Sequence, residues 1–598
     1  MKRAFLLLTA IALNVCCVMA IPAHKAAVKV QQPDGTNITI RLHGDEWRSF
    51  NTTDDGYSVV QDSRGYYVYA DLKDGILAPT AQIAHDLAER SASEQAFLSG
   101  VKKMLVPEMT AEMTEMNALV QQRQKETLKS RRAANYDYNN FRGLLILIEY
   151  NDKSFSRSDY KELLTNMVNK EGYTGYDNQS YTGSVRDYFS DNSLGKFKPE
   201  FDVYGPYKVD YSQTDPKGTS GCRKIINAVL DAADADINYA DYDRDGDGVV
   251  DMVFFIVPGC GANYSGNNSR YWWPHRSIIR STSGEVVTKD GVAFEDYASS
   301  VEMYGWERLL LGGHTIAGIG TICHEFSHVL GLPDFYDSDY SAGGGQSNDP
   351  GDWSVMAEGS DGDKGRTPIG YSLYERWLVG FIDQPEKIEA EGSYSLEDVS
   401  KEGKGYMIET PVADEFFLLE NRQKGKDYKW NEYVPGSGLL VHRVDRTDLT
   451  VWSKNKVNSN PNHNYYEIVR AGGTSPSSRM GTAYDVFPGT ANVTKLNNET
   501  TPANLKTWGG EECPWGLSDI KMNSSSGRIT FKISSTSTPS AVKLPTANTT
   551  GNLLHPSYNM QGQRVGNDYK GLVVRGCTRI QSPSIPSATL PRESGERR

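Results

Sequence analysis

His324, Glu325 and His328 stand in the order His-Glu-x-x-His, residue types that at this spacing can hold a metal and act on a water molecule. On a helix, residues four apart share a face, so two imidazoles can reach one ion while Glu325, one step round, is left to act as a general base. Gly331 follows three residues after His328 and can take the left-handed conformation that ends a helix, and Pro333 forbids its continuation. The chain must then turn back, and Asp334 stands where a third ligand is needed. Two histidines and an aspartate leave one position of a tetrahedral zinc open for water, as a catalytic site requires. The predicted chemistry is peptide-bond hydrolysis, with Glu325 taking a proton from water and passing it to the leaving nitrogen.

Gly351-Asp352-Trp353-Ser354-Val355-Met356-Ala357-Glu358-Gly359 lies a short loop further on. With both segments in hand the chain resembles the M6 family of secreted zinc metallopeptidases, the immune inhibitor A type, within the metzincin-like proteases. Trp353-Ser354-Val355-Met356 is similar to that family's Met-turn, in which Met356 would form an apolar floor beneath the zinc. Phe417 to Gln423, Pro435 to Asp445 and Asp485 to Gly489 are similar to blocks that follow the catalytic domain in such proteins. The resemblance implies an α+β protein: a metzincin-like catalytic domain, an N-terminal pro-domain and a C-terminal β-sandwich, acting as an endopeptidase on protein or peptide substrates. One position departs from the pattern. Several metzincin branches carry a tyrosine two residues after the methionine, and here that residue is Glu358, so the second electrophile is unassigned; Tyr371 and Tyr374 follow, with core packing the ordinary role for such residues.

Elements that could position these residues are legible on both sides of the motif. Gly143-Leu144-Leu145-Ile146-Leu147-Ile148-Glu149 reads as a buried strand, 251–257 as another, and helical periodicity fills about 158–169 and 222–235. A catalytic unit over 133–384 follows, and short strands with Gly and Asn turns mark a β-sandwich over 385–535. Residues 21–132 alternate in short strands and then run helical from about 92 to 130, ending at Lys129-Ser130-Arg131-Arg132, a basic stretch open to trypsin-like cleavage. This is the expected pro-domain. It holds no cysteine, so a carboxylate is the anionic candidate to block the metal, and Asp45 in His43-Gly44-Asp45-Glu46 offers one.

The acidic stretch from Asp241 to Asp251 is a candidate calcium loop. Counted from Asp243, positions one, three, five and nine are Asp243, Asp245, Asp247 and Asp251, with Gly248 at the sharp turn. Phe254 takes the place of the bidentate glutamate of an EF-hand, so a half-site completed by other segments is expected, against the alternative of a solvated acidic turn.

Met1-Lys2-Arg3, an apolar run to Leu13 and the small-residue site Val18-Met19-Ala20 form the three parts of a signal peptide over 1–20, which predicts a secreted protein. No run reaches the roughly 18 apolar residues of a transmembrane helix. A formal charge of −13 and the lack of a basic run argue against nucleic acid. Residues 536–598 read as a linker and a candidate sorting segment for cell-surface attachment. Of seven cysteines, Cys16 and Cys17 fall in the signal, and Cys222 with Cys260 is the first pairing to expect. The rival function is a secreted adhesin or glycan-binding protein carrying a vestigial protease unit.

Overall fold

Gly143–Glu149 is apolar from Leu144 to Ile148, and a strand without a polar face must be covered on both sides. In the computed structural model it lies second in a sheet ordered Phe201–Lys208, Gly143–Glu149, Val253–Cys260, Asp296–Gly305, His275–Ile278. The first four strands are parallel; His275–Ile278 and a further strand, His314–Ile316, pair antiparallel to Asp296–Gly305. Alternation divides the central strand between two apolar clusters. Leu144, Ile146 and Ile148 pack with Ile225, Val229 and Leu230 of the helix Gly218–Ala233. Leu145 and Leu147 belong to the opposite cluster, with Leu164, Phe189 and Phe326 from three other helices, Tyr160–Asn169, Val185–Asn192 and Gly320–Val329. The last of these carries the His-Glu-x-x-His motif.

The structure describes residues 21–536 except 25–26, 134–137, 216, 266–269, 307–313, 339–346, 426 and 475–479, and three later strands. The signal segment, Cys577, the tail beyond residue 575 and the side chains of the basic stretch 129–132 lie outside the described residues. One unit runs over Met1–Ser537 and a second over Thr538–Arg598. In the second, Ser557–Asn559 pairs antiparallel with Arg564–Val565 and with Val573–Arg575.

Residues 28–83 form a six-stranded antiparallel meander in which every strand pairs with its sequence neighbour. The single helical run expected from about 92 to 130 is instead two helices, Ala92–Leu98 and Ala111–Ala133, with Gly100 and the helix-breaking Pro107 between them. Trp47, Met116, Val120 and Ile278 form a small apolar cluster that joins this N-terminal part to the edge strand His275–Ile278. Beyond residue 385, a five-stranded sheet and the three strands Gly392–Leu396, Ile529–Ser535 and Trp515–Met522 share one apolar cluster, which includes Phe417, Leu419, Val441, Leu517 and Phe531.

The expected disulfide is absent. Cys222 lies in the cluster on one side of the central sheet and Cys260 in the cluster on the other, and no bond joins them. No described helix is long and apolar enough to cross a membrane.

Candidate active site

The motif helix Gly320–Val329 is buried along nearly its whole length, so its ends rest on neighbouring chain and not on solvent. At its start Gly320 admits a close approach: a Cβ there would stand 1.9 Å from the Ser360 carbonyl oxygen. On the side of the helix away from the histidines, Phe326 packs against Phe189, Phe141 and Phe201 with ring centroids 4.9, 5.3 and 5.6 Å away. At its end Gly331 takes φ +106°, and Leu332 N bonds back to Ser327 O at 3.0 Å. That reversal delivers Asp334 to the histidines.

The three side chains converge. Nε2 of His324 and Nε2 of His328 are 3.2 Å apart, and Asp334 Oδ1 lies 3.2 and 3.3 Å from them. All three residues are buried, with at most 1 % exposure. His324 Nδ1 faces the Val355 carbonyl at 2.7 Å and His328 Nδ1 faces that of Leu332 at 2.8 Å. A carbonyl only accepts, so each Nδ1 carries the hydrogen and each Nε2 turns a lone pair toward Asp334. Three electron-pair donors in mutual contact are a set that a cation between them would satisfy. Zinc at about 2.0–2.1 Å from each ligand gives tetrahedral edges of about 3.3–3.4 Å, so the donor set and its spacing fit that ion.

Glu325 is fully buried, and burial pushes its carboxyl up to about 8. Its Oε1 accepts from the backbone N of Ile21 at 3.0 Å, while Oε2 has no hydrogen-bond partner among the described residues. Met356 is fully buried; its carbonyl accepts from Phe335 N at 2.8 Å, next to Asp334. Val355, one residue earlier, holds His324, so one short turn braces two sides of the centre. Of the two tyrosines that follow, Tyr371 bonds the Ser327 hydroxyl and Tyr374 packs among Phe335, Trp452 and Tyr466; both are core residues.

Asn455 had no signal in the sequence. Its Nδ2 donates to Asp334 Oδ2 at 2.7 Å and its Oδ1 accepts from Asp334 N at 2.6 Å, a two-point clamp that leaves Oδ1 of the aspartate turned to the histidines. Nearby Asn458 donates to the Phe335 and Tyr466 carbonyls, each at 2.7 Å. Lone asparagines far from the motif carry no pattern to read; the left-handed φ of +54° at Asn455 is a conformation asparagine tolerates, but sequence does not display it.

The N-terminal part lies over these residues. Gln124 donates its side-chain amide to the Gly331 carbonyl. Asp45, the carboxylate expected to face the metal, instead closes its own turn, its Oδ1 accepting from Trp47 N and Arg48 N at 2.9 Å each. Burial of its neighbour Glu46 holds that carboxyl well above the usual range, and the charges of Asp45, Glu325 and Asp334 add to the effect.

In the acidic loop, Asp243, Asp245 and Asp247 each bring a carboxylate oxygen within 4.8 Å of the others. Asp251 stands outside that group and accepts from Arg244 N at 3.2 Å. The loop satisfies its own acids: Asp243 accepts from Asp247 N and Gly248 N, both at 3.0 Å, and Asp247 from Val249 N at 2.8 Å.

Residues 143–377 match the family described as Immune inhibitor A peptidase M6, catalytic domain. The chain is 25 % identical over 257 residues to the pre-pro-metalloprotease PrtV of Vibrio cholerae serotype O1, covering 38 % of this chain and 26 % of that protein. It is 26 % identical over 374 residues to Immune inhibitor A of Bacillus thuringiensis subsp. alesti, covering 53 % of this chain and 52 % of that protein. The aligned part thus spans between a quarter and about half of these relatives.

Proposed function

We propose, from the match of residues 143–377 to the M6 peptidase family, that the chain is a secreted zinc-dependent endopeptidase that hydrolyses peptide bonds of proteins. The observation that carries the reading is the convergence of His324 Nε2, His328 Nε2 and Asp334 Oδ1 at 3.2–3.3 Å beside a buried Glu325. These three residues would hold the ion. Zinc bound there supplies Lewis acidity, acidifying water and polarising the scissile carbonyl. Glu325, whose Oε2 has no partner, takes the proton from the attacking water and delivers it to the nitrogen that leaves. Val355 and Leu332 hold the two imidazoles in the tautomer that presents Nε2, and Asn455 holds the aspartate. Chelation should abolish cleavage of a protein substrate and added zinc restore it; a protein that binds zinc and cleaves nothing would revive the adhesin reading, which no contact at this site favours.

Residues 21–132 act as a removable pro-domain in this reading. Support comes from two contacts over the centre, Ile21 on Glu325 and Gln124 on Gly331, and from the buried Glu46, whose carboxyl is raised in part by the charges of Glu325 and Asp334. Full-length protein should be latent and gain activity when cut within 129–132; equal activity before and after cutting would make the segment a permanent accessory domain. The Asp243, Asp245 and Asp247 carboxylates, with Asp251 nearby, are the proposed structural calcium site, and the two sheets beyond residue 385 a β-sandwich. Residues 536–598 are the proposed linker and surface-attachment segment.

A further inference from the structure

Ile21 is buried at 4 % exposure, and three backbone groups of the segment 21–24 reach the walls around Glu325. Ile21 N donates to Glu325 Oε1 at 3.0 Å. Ile21 O accepts from the indole Nε1 of Trp273 at 2.9 Å. His24 N donates to the Asn263 carbonyl at 2.9 Å. Trp273 is itself buried at 3 %, and it lies just before the edge strand His275–Ile278, with the His275 ring bonded to its carbonyl at 2.6 Å.

The nitrogen that sits on Glu325 is the informative atom. In hydrolysis of a peptide bond, water adds its oxygen to the carbonyl carbon, the carbon–nitrogen bond breaks, and the departing nitrogen receives through Glu325 the proton that the water gave up. At the end of the step a backbone nitrogen lies against the Glu325 carboxylate, with the rest of the product running away from it. Ile21 occupies that position. Its carbonyl is the first one downstream of the nitrogen, and Trp273 donates to it.

We propose that Ile21-Pro22-Ala23-His24 lies in the cleft as the amino-terminal end of a product would lie, so that Trp273 is the positioning residue that grips the first carbonyl downstream of the scissile bond, and that position accepts a branched aliphatic side chain. This rests on the peptidase reading and deepens it by naming a substrate class: polypeptides with isoleucine or valine directly after the cut. The Asn263 carbonyl receives the backbone N–H of His24, the fourth residue of the same stretch. A chain cut after Ala20 would present Ile21 with a free amine, the form a product has.

The test uses full-length protein that is folded first, loaded with zinc and then cut within 129–132. The tetrapeptide Ile-Pro-Ala-His with a free amino end should bind it, measured by calorimetry, and inhibit cleavage competitively. Trp273→Phe keeps the ring and removes only the N–H; it should weaken tetrapeptide binding about fivefold, the worth of one neutral hydrogen bond, and raise KM for a peptide with isoleucine after the cut by a similar factor while leaving kcat near wild type. Asp-Pro-Ala-His should bind far more weakly than the isoleucine peptide. Absence of tetrapeptide binding to the wild type, equal affinity in the Phe variant, or equal affinity for the aspartate peptide would overturn the proposal. If the cut protein cleaves nothing, the peptidase reading falls, and calorimetry still decides whether the tetrapeptide site exists.

Discussion

Among the described residues two clusters could hold a metal ion, and they differ in how their side chains are held. At the histidine–aspartate centre two of the three side chains are oriented by groups distant in sequence, Val355 for His324 and Asn455 for Asp334, and His328 by the Leu332 carbonyl just past the helix end. In the acidic loop, Asp243, Asp245 and Asp247 accept from backbone N–H groups of the loop itself, and the carboxylates are half-buried or exposed. Both have motif-like spacing. Only the first has its remaining hydrogen-bonding capacity committed so that lone pairs are left aimed at one point, and outer partners of this kind set both ligand orientation and affinity.

The sharpest way to break the comparison is through turnover. Glu325→Ala should keep one zinc per chain and lose about 10²–10⁴-fold in kcat, the range of general-base catalysis, whereas Asp245→Asn should leave kcat unchanged. Loss of zinc from Glu325→Ala would make the glutamate a ligand and refute its assignment.

Burial, the variable that separates the clusters, can be tried at a buried group that holds no metal. His275 Nδ1 donates to Trp273 O and its Nε2 pairs with Tyr297 Oη, both at 2.6 Å, and burial lowers its pKa to about 4. The unfolded chain, at about 6.5, takes up the proton first, so stability is fully present above pH 6.5 and lost as the pH falls toward 4. The loss should reach about 3 kcal/mol at most. Denaturant unfolding at pH 7 and pH 4.5 measures it; His275→Gln should flatten the difference, and an unaltered difference would assign the acid sensitivity to other groups.

Asn455→Ala removes the clamp and leaves the three ligands in place. Zinc affinity should fall about 10–100-fold, read by competition with a chromophoric chelator. An unchanged affinity would mean that the turn through Gly331 alone aims Asp334, and the contrast with the loop would shrink to burial. The smallest effect belongs to the loop: calcium at millimolar concentration should raise the melting temperature of ion-stripped protein by a few degrees, through preferential binding to the folded state, and Asp245→Asn should remove that rise. No rise in the wild type leaves a solvated acidic turn.

What the sequence disclosed and what it withheld divide along the same line. The spacing of His324 and His328, the break at Gly331 and Pro333 and the arrival of Asp334 are all consequences of one helix and one turn, so eleven consecutive residues display them. The strand Gly143–Glu149 announced itself because a run of apolar residues with no polar face has to be covered on both sides. The short edge strand His275–Ile278 has no such run, and it went unread. Nor could Asn455, Trp273 or Ile21 be found, because their contacts join residues 121, 252 and 304 positions apart and depend on side-chain direction. In the His43 to Glu46 turn the residue type was read and the facing was not: an aspartate two residues before a free backbone N–H closes an Asx turn, which turns the next carboxylate inward.

The Asn455 clamp also bears on the order in which the chain acquires its parts during synthesis. A ribosome delivers Ile21 some 304 residues before Glu325, and Asp334 another 121 residues before Asn455. The sheet and the motif helix can therefore form while the third ligand still lacks its brace, and the metal centre is finished only when the segment beyond residue 445 has emerged and docked. In chain order, then, the residue that bonds Glu325 comes first, the glutamate and Asp334 follow, and the asparagine that clamps Asp334 comes last.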